Sequence, residues 1–323
     1  MTVSAPVKPM VGDGILNVCK EVGWTSHDVV AKVRALLRGP KIGHAGTLDP
    51  AATGVLPILV GRATRIAEYL VNWDKEYRAV LRLGEITDTQ DATGTVLARH
   101  ATEHLTADMI RMAVARFQGR FTQVPPMYSA VKVGGVPLYR SARAGRSVER
   151  GAREVTIHAI EILGIAGREV DLRIVCSKGT YIRTLCADIG HVLGVGGHLL
   201  SLVRTRVGPL MIARAVTVDA VGEQLLLGRL GEALMTLDAA LEPLPALVVE
   251  MATAARLVHG VPVPCEAIWP EVSADRGLPR PGQVVRLKDA TGRLLALGRV
   301  PEPGDKGLPV IKVLADPFVT TQN

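Results

Sequence analysis

A glycine-rich loop that leads into an apolar run constrains this chain more than any other stretch. The loop begins at Gly43 and ends at Pro50, and it contains a single carboxylate, Asp49. Glycines at positions such as Gly46 and Gly54 permit backbone angles and close approaches that a side chain would prevent, while Pro50 keeps Asp49 out of the helical conformation. The apolar run over 54–61 predicts a buried strand. Such a loop can present a nucleophile or a base, and a purely structural turn is the alternative.

The composition is that of a folded globular chain with room for one large domain or two. It has 323 residues, of which 48% are hydrophobic, which is enough for a core. The net charge of +7 favours a polyanionic partner. The chain has no apolar run of membrane-spanning length and no apolar signal core near its start. We therefore expect a cytoplasmic protein with no membrane partner.

The spacing of the cysteines argues against a metal site and against a disulfide scaffold. Cys19, Cys176, Cys186 and Cys265 lie far apart in the sequence, and no C-x-x-C pair is present. This pattern predicts reduced thiols and no zinc site. The sequence also has no glycine fingerprint of the dinucleotide-binding kind. We accordingly expect neither a metal nor a cofactor.

Residues 131–155 form a basic segment. It contains six basic residues against two acidic ones, interspersed with glycines at 134, 135, 145 and 151. Such a segment predicts a mobile loop or hairpin that closes on a phosphate backbone. A solvated surface loop is the alternative.

Helical and strand patterns are interspersed along the chain, which predicts the α+β class. We expect a mixed, largely antiparallel central sheet with flanking helices, and Ser26 or Thr25 is placed to cap the first helix. Pro243 and Pro245 mark a boundary before a small β-rich tail. Strands are predicted at 54–61, 77–83, 154–158 and 169–176, helices at 28–37, 106–117, 181–189 and around 223–241, and a tail hairpin of 282–287 with 294–300 followed by a strand at 310–314.

A series of motifs occupies residues 12–210. The longest is HAGTLDPAATGVLPILVGRATR, which starts at His44. The others are 17–20 with 23–28, 74–77, 83–84 with 87–89 and 91, 125–132, and 177–183. In this order the motifs resemble those of the pseudouridine synthases, specifically the bacterial tRNA pseudouridine-55 synthases of the TruB family.

The resemblance implies a pseudouridine synthase fold over 12–245 and a PUA-like RNA-binding domain over 246–323. A small structural β module is the alternative for that tail. The implied activity is isomerisation of uridine to pseudouridine at position 55 in the T-loop of tRNA, by base flipping, aspartate-dependent cleavage of the glycosidic bond and C–C rejoining. No guide RNA or obligate protein partner is implied. We expect a monomer that acts on tRNA alone, with a secondary role as a tRNA-folding chaperone.

The resemblance also assigns the catalytic residues. Asp49 matches the family's catalytic aspartate, and Arg183 matches its ion-pair partner, which we expect to orient the carboxylate and lower its pKa. Tyr77 matches the tyrosine that stacks on the target base and is a candidate for transfer of the C5 proton, although a phenol is a poor base. Tyr181 matches a second active-site tyrosine. Attack of Asp49 on the sugar C1′, attack on the uracil ring, and assistance to elimination all stay open.

Further positions match residues that contact RNA. Lys20 matches a basic residue near the pocket, and Leu202 matches an apolar residue that lines it. His44 matches the histidine that fills the gap left in the RNA by extruded bases. Asp91 matches a residue near a flipped base. Structural roles are the alternatives for His44 and Asp91. Glu21 departs from the family's usual proline after the lysine. The residues of the basic segment that the resemblance places on the RNA backbone, as part of a thumb-like loop, are Lys132, Arg140, Arg143 and Arg146.

Two other classes of function fit parts of the sequence. A non-catalytic RNA-binding module would need the basic segment and the tail, but it would not need a carboxylate in a cationic cleft. A glycosidase could use Asp49, but a retaining one needs a second carboxylic acid close by, and the motifs offer no clear candidate.

Overall fold

The computed structural model describes residues 12–129, 132–138, 140, 148–264, 268–270, 279–305 and 307–316. Within these residues the strands are β1 Gly14–Lys20, β2 Ile42–His44, β3 Thr53–Val60, β4 Lys75–Leu83, β5 Glu85–Thr87, β6 Val96–Arg99, β7 Gly119–Gln123, β8 Lys132–Val133, β9 Val136–Pro137, β10 Arg153–Ala166, β11 Glu169–Cys176, β12 Gly197–Val207, β13 Leu210–Met211, β14 Leu234–Met235, β15 Ala246–Val249, β16 Ile268–Pro270, β17 Val284–Lys288, β18 Leu294–Arg299 and β19 Val310–Val313.

Short and medium helices flank these strands. The described α-helices are α1 Ser26–Leu37, α2 Ala67–Val71, α3 Ala107–Ala115, α4 Ile182–Val192, α5 Val218–Leu226, α6 Leu237–Ala240 and α7 Met251–Leu257, and the 3₁₀ helices are Gly61–Ile66, Ile212–Arg214 and Leu230–Ala233. None of the helices in the described residues is long and apolar enough to cross a membrane.

A large mixed sheet forms the centre of the fold. Its strand order is β14-β1-β3-β12-β4-β11-β10-β7, with β2 paired to β3 and β13 paired to β12. The contact of β3 with β12 is parallel, and the other pairings of this sheet are antiparallel. The predicted α+β class with a mixed, largely antiparallel sheet and flanking helices is therefore confirmed.

Helix α1 shows why the local sequence folds as predicted. Thr25 is the N-cap, and Thr25 and Asp28 form a capping box in which each side chain accepts a hydrogen bond from the other's backbone. The box satisfies two backbone N–H groups that the first turn leaves without helical partners. The helix ends at Leu37, and Arg38 after it adopts a left-handed conformation as the C-cap. Its buried face packs on the large sheet through Val29 and Val33.

The prediction of one helical stretch around 223–241 is wrong, because the chain is not continuously helical there. The chain instead forms the end of α5, a 3₁₀ turn, strand β14 and the short helix α6. Gly228 has a φ of 68°, a left-handed conformation that ends α5. Thr236 then caps α6 by accepting a hydrogen bond from the Ala239 backbone, so a new helix begins there.

A second sheet of five strands forms the β-rich tail. Its order is β16-β15-β17-β18-β19, and the predicted hairpin is present as β17 and β18, which pair in antiparallel register. The last strand of the large sheet ends at Met235, and the first strand of the small sheet begins at Ala246. The predicted domain limits near residue 245 and the PUA-like character of the tail stay predictions.

The tail also packs against the large sheet's core. Leu297 and Leu314 of the tail belong to one buried cluster with Ile15 and Val55 of the large sheet. Lys312 forms an ion pair with Glu68 at 3.1 Å. The two sheets thus share apolar surface and surface charge pairs.

The basic segment is described in part. Strands β8 and β9 pair as a hairpin through Gly134 and Gly135, which have φ angles of 57° and 82°. Lys132 lies in β8 and Arg140 is exposed, whereas Arg143 and Arg146 lie outside the described residues. A hairpin therefore occupies the start of the segment, as the sequence indicates.

The strand β3 requires a glycine at its second position. Gly54 has a φ of 103°, and a Cβ there would lie 2.3 Å from the carbonyl oxygen of Arg204. Gly54→Ala is expected to lower the free energy of unfolding by about 3 kcal/mol, because it combines backbone strain with a clash against the main chain. Chemical denaturation measures this. Gly43→Ala is the matched control: the nearest atom to a Cβ at that position is a Thr64 methyl carbon at 3.5 Å, and equal losses for both variants would contradict the prediction.

Candidate active site

A cleft of about 300 Å³ opens where the Asp49 loop meets β4, the middle of β12 and the segment between β11 and α4. Its walls come from five parts of the chain that are distant in sequence. The lining residues are Gly46, Thr47, Leu48, Asp49, Val71, Lys75, Tyr77, Ser129, Ser177, Lys178, Gly179, Thr180, Tyr181, Ile182, Arg183, Leu202 and Arg204.

Asp49 and Arg183 form an ion pair in the cleft. The Arg183 Nε lies 3.0 Å from Asp49 Oδ2. Arg183 is buried at the start of α4, whereas 44% of the Asp49 side chain is exposed toward the cleft. The Asp49 carbonyl accepts a hydrogen bond from the Ala52 backbone, so the residue begins a turn as Pro50 leads one to expect. The carboxylate is thereby held with one face toward any molecule in the cleft.

The pKa of Asp49 differs from the sequence-based expectation. Burial among the cleft walls raises it above the ordinary aspartate value, and Arg183 opposes that rise. Asp91 adds to the rise and Lys20 opposes it. The predicted lowering by Arg183 is present, but desolvation outweighs it.

Arg183 is itself fixed by oxygen atoms on its far side. Its Nη2 donates to the Tyr128 carbonyl at 2.7 Å, and its Nη1 donates to the Thr89 carbonyl at 3.3 Å. Asp91 Oδ2 lies 3.6 Å from the same Nη1. The guanidinium therefore bridges two carboxylates, only one of which, Asp49, lines the cleft.

Tyr77 and Tyr181 stand on different walls of the cleft. Tyr77 lies in the middle of the large sheet and is 9% exposed, and Tyr181 precedes α4. Burial raises the pKa of each phenol above its ordinary value. Both are therefore neutral near pH 7, which suits stacking and hydrogen bonding better than proton abstraction.

Leu202 belongs to the wall of the cleft, and Gln123 supports that wall from behind. Leu202 lines the cleft, as predicted. Gln123 was not predicted: its buried side chain accepts from the Tyr181 N–H at 2.8 Å and donates to the Tyr181 carbonyl at 3.1 Å. Gln123 thus fixes the backbone of Tyr181 two residues before Arg183.

Lys20 lies behind the cleft rather than in its lining. The residue is fully buried, and its Nζ donates to the carbonyl oxygens of Trp24 at 2.7 Å, Glu21 at 2.9 Å and Pro50 at 3.2 Å. Its ammonium therefore ties the first strand to the residue after Asp49. The three carbonyls direct the Lys20 ammonium away from the cleft, which does not favour a direct contact with substrate. Such a contact stays a prediction.

His44 and Asp91 also lie outside the lining of the cleft. His44 packs edge-on against His27, with ring centroids 5.6 Å apart, and burial lowers its pKa, so the imidazole is neutral at pH 7. Asp91 Oδ1 accepts hydrogen bonds from the hydroxyls of Thr89 and Thr93 at 2.8 and 2.6 Å. Asp91 therefore has local hydrogen-bond partners, whereas the buried His44 Nδ1 has none among the described residues. The roles of both residues toward RNA stay predictions.

Two buried cations in the lining were also not predicted. Lys75 donates to the Val71 carbonyl at 2.6 Å, and burial lowers its pKa to about 8. Arg204 is 1% exposed. The sequence signal that could have indicated Arg204 is its position as a basic residue within the largely apolar strand β12. The described residues hold no group of three or more His, Cys, Asp or Glu placed to bind a metal ion.

Comparison with known proteins places this geometry in a family. A model of the TruB family pseudouridylate synthase N-terminal domain matches residues 34–182, and a model of the tRNA pseudouridylate synthase B C-terminal domain matches residues 183–249. The chain is 50% identical over 252 residues to tRNA pseudouridine synthase B of Symbiobacterium thermophilum, covering 77% of this chain and 82% of the relative. This chain belongs to the TruB family of pseudouridylate synthases.

A second relative and a solved structure also match most of this chain. The chain is 47% identical to tRNA pseudouridine synthase B of Aromatoleum aromaticum, over 79% of this chain and 83% of that protein. Among solved structures, a Cbf5-Nop10-Gar1 complex matches with a TM-score of 0.73 at 28% identity, covering 94% of this chain and 85% of that chain. The pseudouridine synthase fold predicted for the TruB-family chain is therefore confirmed.

Lys20 gives stability a pH dependence that one substitution isolates. Burial lowers its pKa from 10.5 to about 8. Between those two values the unfolded chain binds more protons than the folded one, so this group's contribution to the free energy of unfolding rises with pH. Urea denaturation of wild type and Lys20→Met is expected to show that the stability difference in favour of wild type grows from pH 8 to pH 10. Lys41→Met, at an exposed position, is the control. A difference that stays constant or shrinks would contradict the prediction.

Proposed function

We propose that this chain isomerises uridine to pseudouridine at position 55 in the T-loop of tRNA, with Asp49 as the essential carboxylate. The observation that carries the proposal is the ion pair of Asp49 with the buried Arg183, set in a cleft that two neutral tyrosines line. Relatives that are 43–50% identical to this chain over 77–91% of its length are named tRNA pseudouridine synthase B. The uridine must leave the RNA stack to reach Asp49, because the carboxylate lies inside the cleft.

The reaction requires a charge stabiliser beside the sugar, a surface that holds the detached base, and a route for the C5 proton. Arg183 keeps the Asp49 carboxylate oriented through a charge-assisted hydrogen bond. The Tyr77 ring offers a flat face for a base. Because its pKa is raised, the Tyr77 phenol keeps its proton near pH 7, so it could take the C5 proton only while passing its own hydroxyl proton to another group. The proposal leaves the route of Asp49 open among attack on C1′, attack on the ring and assistance to elimination.

A glycosidase is less well supported by the same geometry. Asp91 is the second carboxylate on Arg183, but it lies outside the lining of the cleft. Its Oδ1 already accepts hydrogen bonds from Thr89 and Thr93. A retaining glycosidase needs both carboxyl groups next to the scissile bond, and Asp91 faces Arg183 instead.

We also propose how the protein meets tRNA. Lys132, Arg140, Arg143 and Arg146 would contact the phosphate backbone as parts of a thumb-like loop, and the tail at 246–323 would add a PUA-like RNA-binding surface. The chain would act in the cytoplasm as a monomer, without a guide RNA, metal or cofactor. The Nop10 and Gar1 proteins of the structurally similar complex would have no counterpart here.

Asp49→Asn is expected to lower pseudouridine formation at least about a thousandfold, equivalent to about 4 kcal/mol in the activation barrier. The amide keeps the size of the side chain but removes the charge that Arg183 orients. Tritium release from C5-labelled uridine in unmodified tRNA measures the reaction, and filter binding measures tRNA affinity, which is expected to persist. Asp108→Asn, on the exposed face of α3, is the control.

The same variant separates catalysis from the proposed chaperone role. Refolding of tRNA needs only the binding surface, so Asp49→Asn should assist it as wild type does. Turnover of Asp49→Asn near the wild-type rate would overturn the isomerase proposal. Loss of refolding assistance in Asp49→Asn, with tRNA affinity intact, would overturn the chaperone proposal alone.

Arg140, Arg143 and Arg146 are expected to contribute to the salt dependence of tRNA binding. Their combined substitution by glutamine should weaken binding about tenfold or more and flatten the slope of log affinity against log salt by about 2, because fewer counterions are released. Filter binding at several salt concentrations measures both quantities. The control removes the same charge from Arg99, Arg111 and Arg116, which are exposed elsewhere. Equal losses in both triple variants would contradict a specific role for the segment.

A further inference from the structure

Arg204 is a buried cation that binds backbone instead of a carboxylate. It is 1% exposed, and burial lowers its pKa. Within the part of the chain that the structure describes, no carboxylate forms an ion pair with it. Burying a guanidinium is unfavourable unless its donors are satisfied, so the groups that satisfy it identify what it holds in place.

The backbone acceptors of Arg204 lie on both sides of Asp49 in the sequence. Its Nη2 donates to the Gly46 carbonyl at 3.1 Å and its Nη1 to the Thr47 carbonyl at 3.3 Å. Its Nε donates to the Val55 carbonyl at 2.7 Å. One planar side chain thus fixes the loop just before Asp49 and the strand that follows it.

Arg204 also stands next to Tyr77. The two residues are direct partners in the antiparallel register of β12 and β4, which places their side chains on the same face. The guanidinium and the phenol are close enough for each to influence the pKa of the other. A guanidinium only donates, so in a hydrogen bond between the two the Tyr77 oxygen is the acceptor.

We propose that Arg204 is a positioning residue for the reaction, which sets the Asp49 loop and the Tyr77 hydroxyl in fixed relation across the cleft. The inference rests on the proposed function and deepens it. The fork of a guanidinium reaches several acceptors in one plane, which an ammonium on a flexible stem cannot reproduce. Asp49 and Tyr77 have no direct bond to each other among the described contacts, so Arg204 is the side chain that touches both parts.

The test compares Arg204→Lys and Arg204→Gln with wild type in single-turnover tritium release and in tRNA filter binding. Because positioning acts on the reacting groups, the single-turnover rate is expected to fall at least a hundredfold while the Kd for tRNA changes less than threefold. Arg206→Lys is the matched control: Arg206 lies two positions along the same strand, outside the cleft lining, and pairs with Glu76. Its rate is expected to stay within threefold of wild type.

A double-mutant cycle with Tyr77→Phe distinguishes positioning from general support of the fold. If Arg204 acts partly through the phenol, the loss caused by Arg204→Lys should shrink at least tenfold when Phe replaces Tyr77. A purely structural role would give the same loss in both backgrounds and would overturn the inference.

Three other outcomes also decide the matter. A rate for Arg204→Lys within threefold of wild type overturns the inference and leaves the proposed function intact. Failure of both Arg204 variants to unfold cooperatively in thermal denaturation overturns it as well, because the residue would then serve the fold alone. A wild-type protein that releases no tritium from tRNA overturns the proposed function, and this inference with it.

Discussion

The candidate site depends on hydrogen bonds from buried cations to the backbone around Asp49. Arg204 holds the carbonyls of Gly46 and Thr47, and Lys20 holds that of Pro50. The Ser26 hydroxyl accepts from the Leu48 N–H and donates to the Leu48 carbonyl. A loop rich in glycine would otherwise sample many conformations. Side chains from β1, α1 and β12 remove that freedom, so the carboxylate is fixed by elements far away in sequence.

Local sequence signals were sufficient for much of the fold, and the resemblance to the TruB family supplied the central ion pair. The capping box of Thr25 and Asp28 fixes the start of α1, and Pro50 keeps Asp49 in a turn. The apolar run after Gly54 forms the buried strand β3. Asp49 and Arg183 were paired by the resemblance to that family, and Arg183 Nε lies 3.0 Å from Asp49 Oδ2. In each of these cases the decisive residues are adjacent in sequence or belong to a motif.

What the sequence did not indicate depends on tertiary packing. Strand β12 lies between β3 and β4 and carries both Leu202 and Arg204. Its basic residues interrupt the apolar run that would indicate a central strand. The direction in which Lys20 points is decided by the carbonyls of Trp24 and Pro50, which no motif encodes. The rise in the pKa of Asp49 has the same origin, because burial by distant walls outweighs the neighbouring Arg183.

The apolar contact between the two sheets has a consequence for shortened forms of the chain. Leu297 and Leu314 fill part of the core that also contains Ile15 and Val55. A chain that stopped after residue 245 would leave this apolar surface of the large sheet exposed to solvent. Exposed apolar surfaces promote self-association. The tail therefore covers apolar surface of the large sheet, and its removal is expected to lower solubility even if RNA binding did not require it.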